Sequence, residues 1–261
     1  MTSSEAHGGF RRTVVRTVSA VSQRRAVQNA FFDELAESFA QRYENNRAFR
    51  DRVALFTEEA RFVLDRHRLA RSPRCLDLGC GPGIIAGAIA NLGFEVIGVD
   101  RSEKMINVAE RLAARHGPLR ERLKFVRADV GEFLSSYHES FSLAVSSSVF
   151  EYLSDPQEVV AMIASRLEPG GTLAFSIPNF DSLLRVVEPC IQGVLPARSR
   201  YREFWGNTTG SAEYVRSAFD LGLSLERLKT FGLPNLSLYG LESVLRNRLF
   251  QTMTLLVFRR L

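Results

Sequence analysis

The chain has 261 residues, 45% of them hydrophobic, and 34 Lys and Arg against 29 Asp and Glu give a formal net charge of +5. That composition supports a large buried core and argues against disorder, while so small and diffuse a charge does not demand a nucleic-acid partner. No apolar run reaches the ~18 residues of a membrane span, and Cys75, Cys80 and Cys190, without a CxxC pair or nearby histidines, fit a reducing compartment and no structural zinc.

Residues 1–26 form a basic extension in which "FRRTVVRTVSAVSQRRAV" carries Arg11, Arg12, Arg16, Arg24 and Arg25 and no acid. Wound as a helix, it puts Phe10, Val14, Val18 and Val21 on one face, the pattern of a segment lying on an anionic membrane or partner. A basic extension packed loosely on the domain explains the same residues. Arg and Ser are also frequent in transit peptides, although Glu5 argues against one, and no apolar h-region follows Met1 to indicate secretion. The expected location is cytoplasmic, with peripheral contact at a membrane through this basic segment or the later insertion.

Residues 27–72 read as a helical cap: Phe31, Phe32, Leu35, Phe39 and Tyr43 recur at three- and four-residue steps, and Val53, Phe56, Ala60, Val63 and Leu64 repeat the theme before "RSP" ends it. Short apolar runs then alternate with helix-period segments, the signature of βαβ units and a mostly parallel sheet. Strands are expected at 74–79, 95–100, 123–128, 141–147 and 171–177, with helices near 82–92, 102–116, 131–137 and 156–167. Pro169-Gly170-Gly171 reads as a turn feeding the fifth strand. After Pro178 the alternation gives way to an insertion of helix and loop over about 180–210, a helix at 211–222, and two antiparallel final strands, "LERLKTFGL" and "QTMTLLVFRR".

In an open parallel sheet the ligand crevice lies beyond the carboxyl ends of the strands. The residues there are Asp77 to Gly83, Asp100, Asp129 and Ser146. Asp100 closes "EVIGVD" and can take both hydroxyls of a ribose; it lies 19 residues after Gly81, and "GPGIIA" satisfies G-x-G-x-x-A, so a nicotinamide dinucleotide has to be argued away. The discriminating residue is Asp77, two places before Gly79. A dinucleotide brings its pyrophosphate to the following helix start, where a fixed carboxylate repels it. S-adenosylmethionine brings an ammonium and a carboxylate, so the acid meets the cation while glycine amides take the anion. Asp129 can accept from an adenine amino group with the Val130 amide facing a ring nitrogen, or simply cap the helix that follows.

Five segments in order then resemble the class I S-adenosylmethionine-dependent methyltransferases: "CLDLGCGPG", "VIGVDRSEKMI", "VRADV", "FSLAVSSSVFEYLSDP" and "LEPGGTLAFSIPN". The resemblance implies a Rossmann-like α/β fold, with a mostly parallel seven-stranded sheet, helices on both faces and the methyltransferase domain over 73–261. It implies S-adenosyl-L-methionine as cofactor, with Gly79, Cys80, Gly81, Gly83 and Arg101 in its binding segments. By the same resemblance Met105 lies over the adenine, the Ser146 carbonyl lies near the sulfonium, and Tyr43 closes over the methionine end.

Around the fourth strand, nucleic-acid amino methyltransferases would show Asn or Asp followed by Pro-Pro and an aromatic; here stand Ser146, Ser147, Ser148 and Val149, and no Pro-Cys pair offers a C5 nucleophile. DNA is therefore not an expected partner. The chain is most similar to small-molecule O-methyltransferases of the ubiquinone-biosynthesis type, which implies a small or lipid-like acceptor. Where such relatives read Glu-His after the fourth strand this chain has Glu151-Tyr152, its candidate catalytic pair, or a pair that only packs the loop. Tyr152 is a poor base at the usual phenol pKa of ~10, and Glu151 suits only an acidic acceptor. His7, His67, His116 and His138 lie in polar segments, and no acid cluster declares a metal. The insertion pairs apolar Leu183, Leu184, Val186, Val187, Ile191, Val194 and Leu195 with Arg198, Arg200 and Arg202 before Phe204-Trp205, a wall suited to a hydrophobic acceptor with an anionic part, though helices on a sheet need an apolar face anyway. A methyltransferase-fold protein that binds without turnover, and a protein or RNA methyltransferase, are the alternatives. Sequence leaves the oligomeric state open.

Overall fold

A computed structural model describes residues 4–66, 72–184, 197–232 and 249–261, with side chains from residue 23 onward in the first helix and from residue 201 onward in the segment that starts at 197. Expectations for His7, His67, Cys190, the apolar residues 186–195, and the side chains of Phe10 to Val21, Arg198 and Arg200 lie outside the described residues.

Two helices form the cap, α1 (Ser4–Asn45) and α2 (Arg47–Arg66). α1 runs unbroken through residues 26 and 27. The chain breaks at Asn46, whose Oδ1 accepts the Ala48 amide at 2.9 Å, a local bond that competes with continued helix and starts the next one. The domain then alternates β1 (Arg74–Leu78), α3 (Ile84–Ala90), β2 (Glu95–Asp100), α4 (Glu103–Ala113), β3 (Leu123–Arg127), α5 (Val130–Ser136), β4 (Phe141–Ser147), α6 (Pro156–Arg166) and β5 (Leu167–Pro178). It ends with α7 (Ser211–Asp220), β6 (Leu223–Phe231) and β7 (Met253–Arg260). The sheet has seven strands in the order β3-β2-β1-β4-β5-β7-β6, parallel except for β7, which runs antiparallel to both neighbours.

The fifth strand corrects one expectation. It begins at Leu167, and Pro169, Gly170 and Gly171 lie within it as an outsized bulge between the pairs Phe141–Leu167 and Leu143–Thr172. Gly170 takes φ +78°, and a Cβ on Gly171 would stand 2.8 Å from the Glu168 carbonyl oxygen. Leu167 is fully buried and pairs with Phe141, tertiary contacts that place the strand start ahead of the glycines. The helix expected over 102–116 ends as α-helix at Ala113 and continues as 3-10 turns, kinked at His116 and Gly117 ahead of Pro118.

Strand alternation divides the core. Leu76, Leu78, Ile97, Val99 and Phe175 pack with α5, α6 and α7 on one face, while Cys75, Val96, Val145, Ala174 and Leu255 pack with α2 and α3 on the other. Asp77 points to the second face, beneath the cap. The cap is tied to the far edge of the sheet by Glu59 of α2, fully buried, whose carboxylate takes a bidentate fork from Arg227 of β6; Lys229 reaches the same acid at 3.8 Å. Removing one member of a buried pair strands the other charge. Arg227→Met is expected to lower stability by about 3 kcal/mol in urea denaturation, and Glu59→Leu added to it should recover much of that loss.

Candidate functional site

A cavity of about 540 Å³ opens at the carboxyl ends of β1 to β4, floored by the glycine loop and roofed by α1, the start of α2 and residues 201–205. The amides of Gly79 and Cys80 both donate to the Val99 carbonyl, at 2.7 and 3.0 Å, so the loop folds across the end of β2. Gly81 sits at φ +51° with only the Met105 sulfur, 3.9 Å away, near where its Cβ would stand; Gly83, at φ +74°, has no space at all, because a Cβ there would meet the Phe125 ring at 2.7 Å. Asp100 fixes this arrangement: one carboxylate oxygen accepts the Gly81 amide at 2.9 Å and the other the Ser102 amide at 2.8 Å. Ser102 in turn caps α4 by accepting from the Met105 amide at 3.1 Å.

Asp77 lies on the cavity floor, 1% exposed, and its Oδ2 has no hydrogen-bond partner among the described residues. Burial and then the nearby Asp100 carboxylate push its pKa from 3.8 up to about 7, against the pull of the Ala86 amide. Asp100 is also raised, chiefly by burial, with the Ser102 and Gly81 amides opposing. Burial lowers the Arg101 guanidinium while the carboxylates of Asp100 and Asp129 hold it up. Asp129 does two things at once: its Oδ1 accepts the Gly131 amide at 3.0 Å, capping α5, and it lines the cavity together with Val130.

Of the residues singled out from sequence, Tyr43, Asp77, Gly79, Cys80, Gly81, Asp100, Arg101, Met105, Asp129, Val130, Glu151 and Tyr152 all line this one cavity. Gly83 stands behind it, at the start of α3. Ser146 is fully buried, its hydroxyl spent on the Leu78 carbonyl at 2.9 Å, and it does not line the cavity; Ser147 and Ser148 do. The hydroxyl oxygens of those two serines are shielded from solvent without partners among the described residues, and Ser148 takes φ +58°, a strained value for a residue with a side chain. Met105 packs on Ala36 of α1 as well as facing the cavity. Neither His116 nor His138 lines it; His138 meets Arg166 at 3.0 Å on the surface.

Tyr43 is pushed up to about 12, first by burial and then by Asp77 and Cys80, with Arg52 opposing. Tyr152, against Phe32 with ring centroids 5.5 Å apart, is raised well above the ordinary phenol range by burial and by Glu151. Both phenols stay protonated at neutral pH. Residues that sequence reasoning passed over also line the cavity: Gln28, whose amide nitrogen is buried without a partner among the described residues; Arg42; and Arg52, whose Nε is likewise unpartnered. They occur inside helical repeats where polar residues are usually solvated, so the sequence carries no signal that sets them apart. Tyr201 and Trp205 complete the roof, and Arg24 of α1 donates to the Trp205 carbonyl at 2.6 Å.

Comparison with known proteins follows the same lines. A methyltransferase domain family matches residues 76–175. The chain is 30% identical over 223 residues to the ubiquinone biosynthesis O-methyltransferase of Thiobacillus denitrificans, covering 84% of this chain and 92% of that one. It is 29% identical over 184 residues to the enzyme of the same description from Chromobacterium violaceum, covering 69% and 77%. Among solved structures it shares its fold with magnesium protoporphyrin IX methyltransferase from Synechocystis PCC 6803 with bound SAH, at TM-score 0.63, 18% identity and coverage of 90% of this chain and 100% of that chain.

The raised Asp77 makes the protein's own stability pH-dependent. Its folded pKa, about 7, exceeds the 3.8 of an unperturbed carboxyl, so between these values the folded state holds the proton more tightly and stability falls as pH rises. Without ligand, stability should fall by on the order of 2–4 kcal/mol from pH 4 to pH 7 through this group and then level off. Asp77→Asn should remove that part of the slope in urea titrations across pH.

Proposed function

The chain belongs to the class I S-adenosylmethionine-dependent methyltransferases, within them to the ubiquinone biosynthesis O-methyltransferase type, and on that footing we propose how its cavity serves the reaction. The protein is a methyltransferase that uses S-adenosyl-L-methionine to methylate oxygen on a small-molecule acceptor. When bound, the cofactor supplies an electrophilic methyl group. Everything else falls to the chain: binding both partners, aligning them, excluding water and managing one proton.

The observation that carries the reading is the unpartnered Asp77 oxygen, buried on the cavity floor. A cation is the natural partner of a carboxylate there, and an ammonium fits where a pyrophosphate would be repelled. Arg52, unpaired among the described residues and close enough to Tyr43 to oppose its upward shift, takes the accompanying carboxylate. Asp100 has lone pairs left for the ribose hydroxyls, and the Gly79–Gly81 loop brings backbone against the ligand. Asp129 and the Val130 amide face the adenine edge, Met105 lies along its face, Arg101 flanks both acids, and Tyr43 covers the methionine end. Ser147 and Ser148, in place of Ser146, present polar groups toward the reacting methyl.

At the acceptor end Phe32, Tyr152, Tyr201 and Trp205 line the cavity, a wall suited to a flat, hydrophobic ring. We read the acceptor as a hydroxylated aromatic, the chemistry that the relatives' description as ubiquinone biosynthesis enzymes suggests. Tyr152, held protonated, donates to the acceptor oxygen and steers its lone pair; Glu151, buried beside it, is the nearer candidate to receive a phenolic proton. Among the described residues no helix is long and apolar enough to cross a membrane; the basic start of α1 suits peripheral contact with an anionic surface. Co-sedimentation with anionic vesicles should fall sharply when residues 1–22 are deleted.

Titration calorimetry with S-adenosylhomocysteine, which keeps the ammonium and carboxylate, tests the assignment. An ammonium favours ionised Asp77, so binding below pH 7 expels a proton, and affinity should be about tenfold weaker at pH 6 than at pH 8. Asp77→Asn should flatten that dependence. Asp100→Ala should weaken binding at every pH, and unchanged affinity would remove Asp100 from the site.

A further inference from the structure

The inner face of α1 carries one side chain that packing does not explain. Gln28, Phe32, Phe39 and Tyr43 line the cavity from this helix at four- and seven-residue steps. Gln28 is 4% exposed, and its Nε2 has no hydrogen-bond partner among the described residues. An apolar side chain would fill that position at no polar cost, whereas a buried amide without a partner is destabilising. The position calls for a ligand that can use a carboxamide, with its acceptor oxygen and its two donor hydrogens.

Its neighbours on α1 fix which part of a ligand that is. Three residues earlier, Arg25 stands 3.9 Å from Oδ2 of Asp129. One turn later, Phe32 meets the ring of Tyr152 with centroids 5.5 Å apart. Asp33, on another side of the helix, takes the Ser102 hydroxyl and the Lys104 amide at the start of α4. Gln28 therefore lies between the end of β3, where Asp129 and Val130 stand, and the turn after β4 that carries Tyr152. The Arg25 contact is longer than a hydrogen bond, so Asp129 can still accept from an amino group.

We propose that Gln28 reads the N6/N7 edge of the cofactor's adenine, its carboxamide oxygen accepting from the amino group while its NH2 donates to N7. This rests on the reading above, in which Asp129 and the Val130 amide face the base, and extends it to a residue of the cap. The strand order β3-β2-β1 lays the ligand with its base outermost, so the ring nitrogen farthest from the ribose, N1, meets the Val130 amide at β3. Asp129 then takes one hydrogen of the amino group. The second hydrogen and N7 are left side by side, and a carboxamide complements that pair, acceptor to donor and donor to acceptor. N3, the other acceptor of the base, lies on the ribose side, toward Asp100 and the helix start that Asp33 covers. Gln28 is thus a specificity residue, and α1 closes the adenosine end of the cavity with it.

The test is calorimetric and independent of turnover. The full-length protein is titrated with S-adenosylhomocysteine and, separately, with its 7-deaza analogue, in which a C–H replaces N7. The parent protein should bind the analogue about tenfold more weakly. Gln28→Met keeps the length of the side chain and removes both polar groups; it should weaken S-adenosylhomocysteine binding about tenfold and bind the two ligands equally. Gln28→Glu keeps an acceptor for the amino group but no donor for N7, and should also lose the preference. Equal binding of the two ligands by the parent protein, a comparison that needs no variant to fold, overturns the proposal. So does a preference that survives Gln28→Met. Asn29 lines a neighbouring cavity with Arg25, Arg101 and Asp129, so Asn29→Ala should keep the preference; its loss there would assign the effect to the seating of α1 and overturn the role of Gln28. Failure of the parent protein to bind S-adenosylhomocysteine at all would instead sink the cofactor assignment, so the two readings fail separately.

Discussion

A single carboxylate organises the floor of this molecule. Asp100 accepts the amides of Gly81 and Ser102 with its two oxygens, and thereby holds the loop after β1 and the start of α4 in one fixed relation. The left-handed glycines are tolerable because this bond and the two amides on the Val99 carbonyl over-determine the loop. The same carboxylate raises the proton affinity of Asp77 through their mutual repulsion in a desolvated setting. An arrangement that gives the backbone its shape therefore leaves the floor short of positive charge, and a cationic ligand relieves what the fold alone cannot.

The roof depends on contacts of a different kind. Asp33 of α1 accepts from the Ser102 hydroxyl and from the Lys104 amide, so the cap rests on the same helix start that Asp100 fixes. On the other side the Gly206 amide donates to the Glu151 carbonyl at 2.7 Å, and Asn207 bonds the Phe150 and Leu153 carbonyls at 2.7 and 2.8 Å. The turn after β4 is the joint between strap and floor. Glu59 and Arg227 anchor the far end of the cap, so a long helix that shares little core with the sheet is still held in register above the cavity.

These two constructions explain how much could be seen in the sequence. Asp77, Asp100 and Asp129 close apolar runs in chain order, and the parallel topology brings strand ends together whatever the side chains are, so the floor was legible. The offset between Ser146 and Ser147 escaped because strand alternation turns one residue inward and the next toward the cavity, and the sequence does not say at which serine the strand ends. Pro169-Gly170-Gly171 looked like a turn because glycine and proline punctuate most chains; the buried pair of Leu167 with Phe141 is a tertiary contact that local signals do not contain. Arg42 and Arg52 were invisible for the same reason, since only the roof converts a helix-surface arginine into a cavity residue.

Asp129 combines a structural task with a place on the cavity wall. Its Oδ1 caps α5 while the carboxylate remains on the cavity wall, so the cap bond fixes where that charge stands. A parallel economy governs the acceptor end. Burial keeps Tyr152 and Tyr43 protonated, and the Glu151 carboxylate raises Tyr152 further. The same desolvation that raises Asp77 on the floor therefore raises the phenols above it, so both sides of the cavity hold their protons more tightly than water would allow.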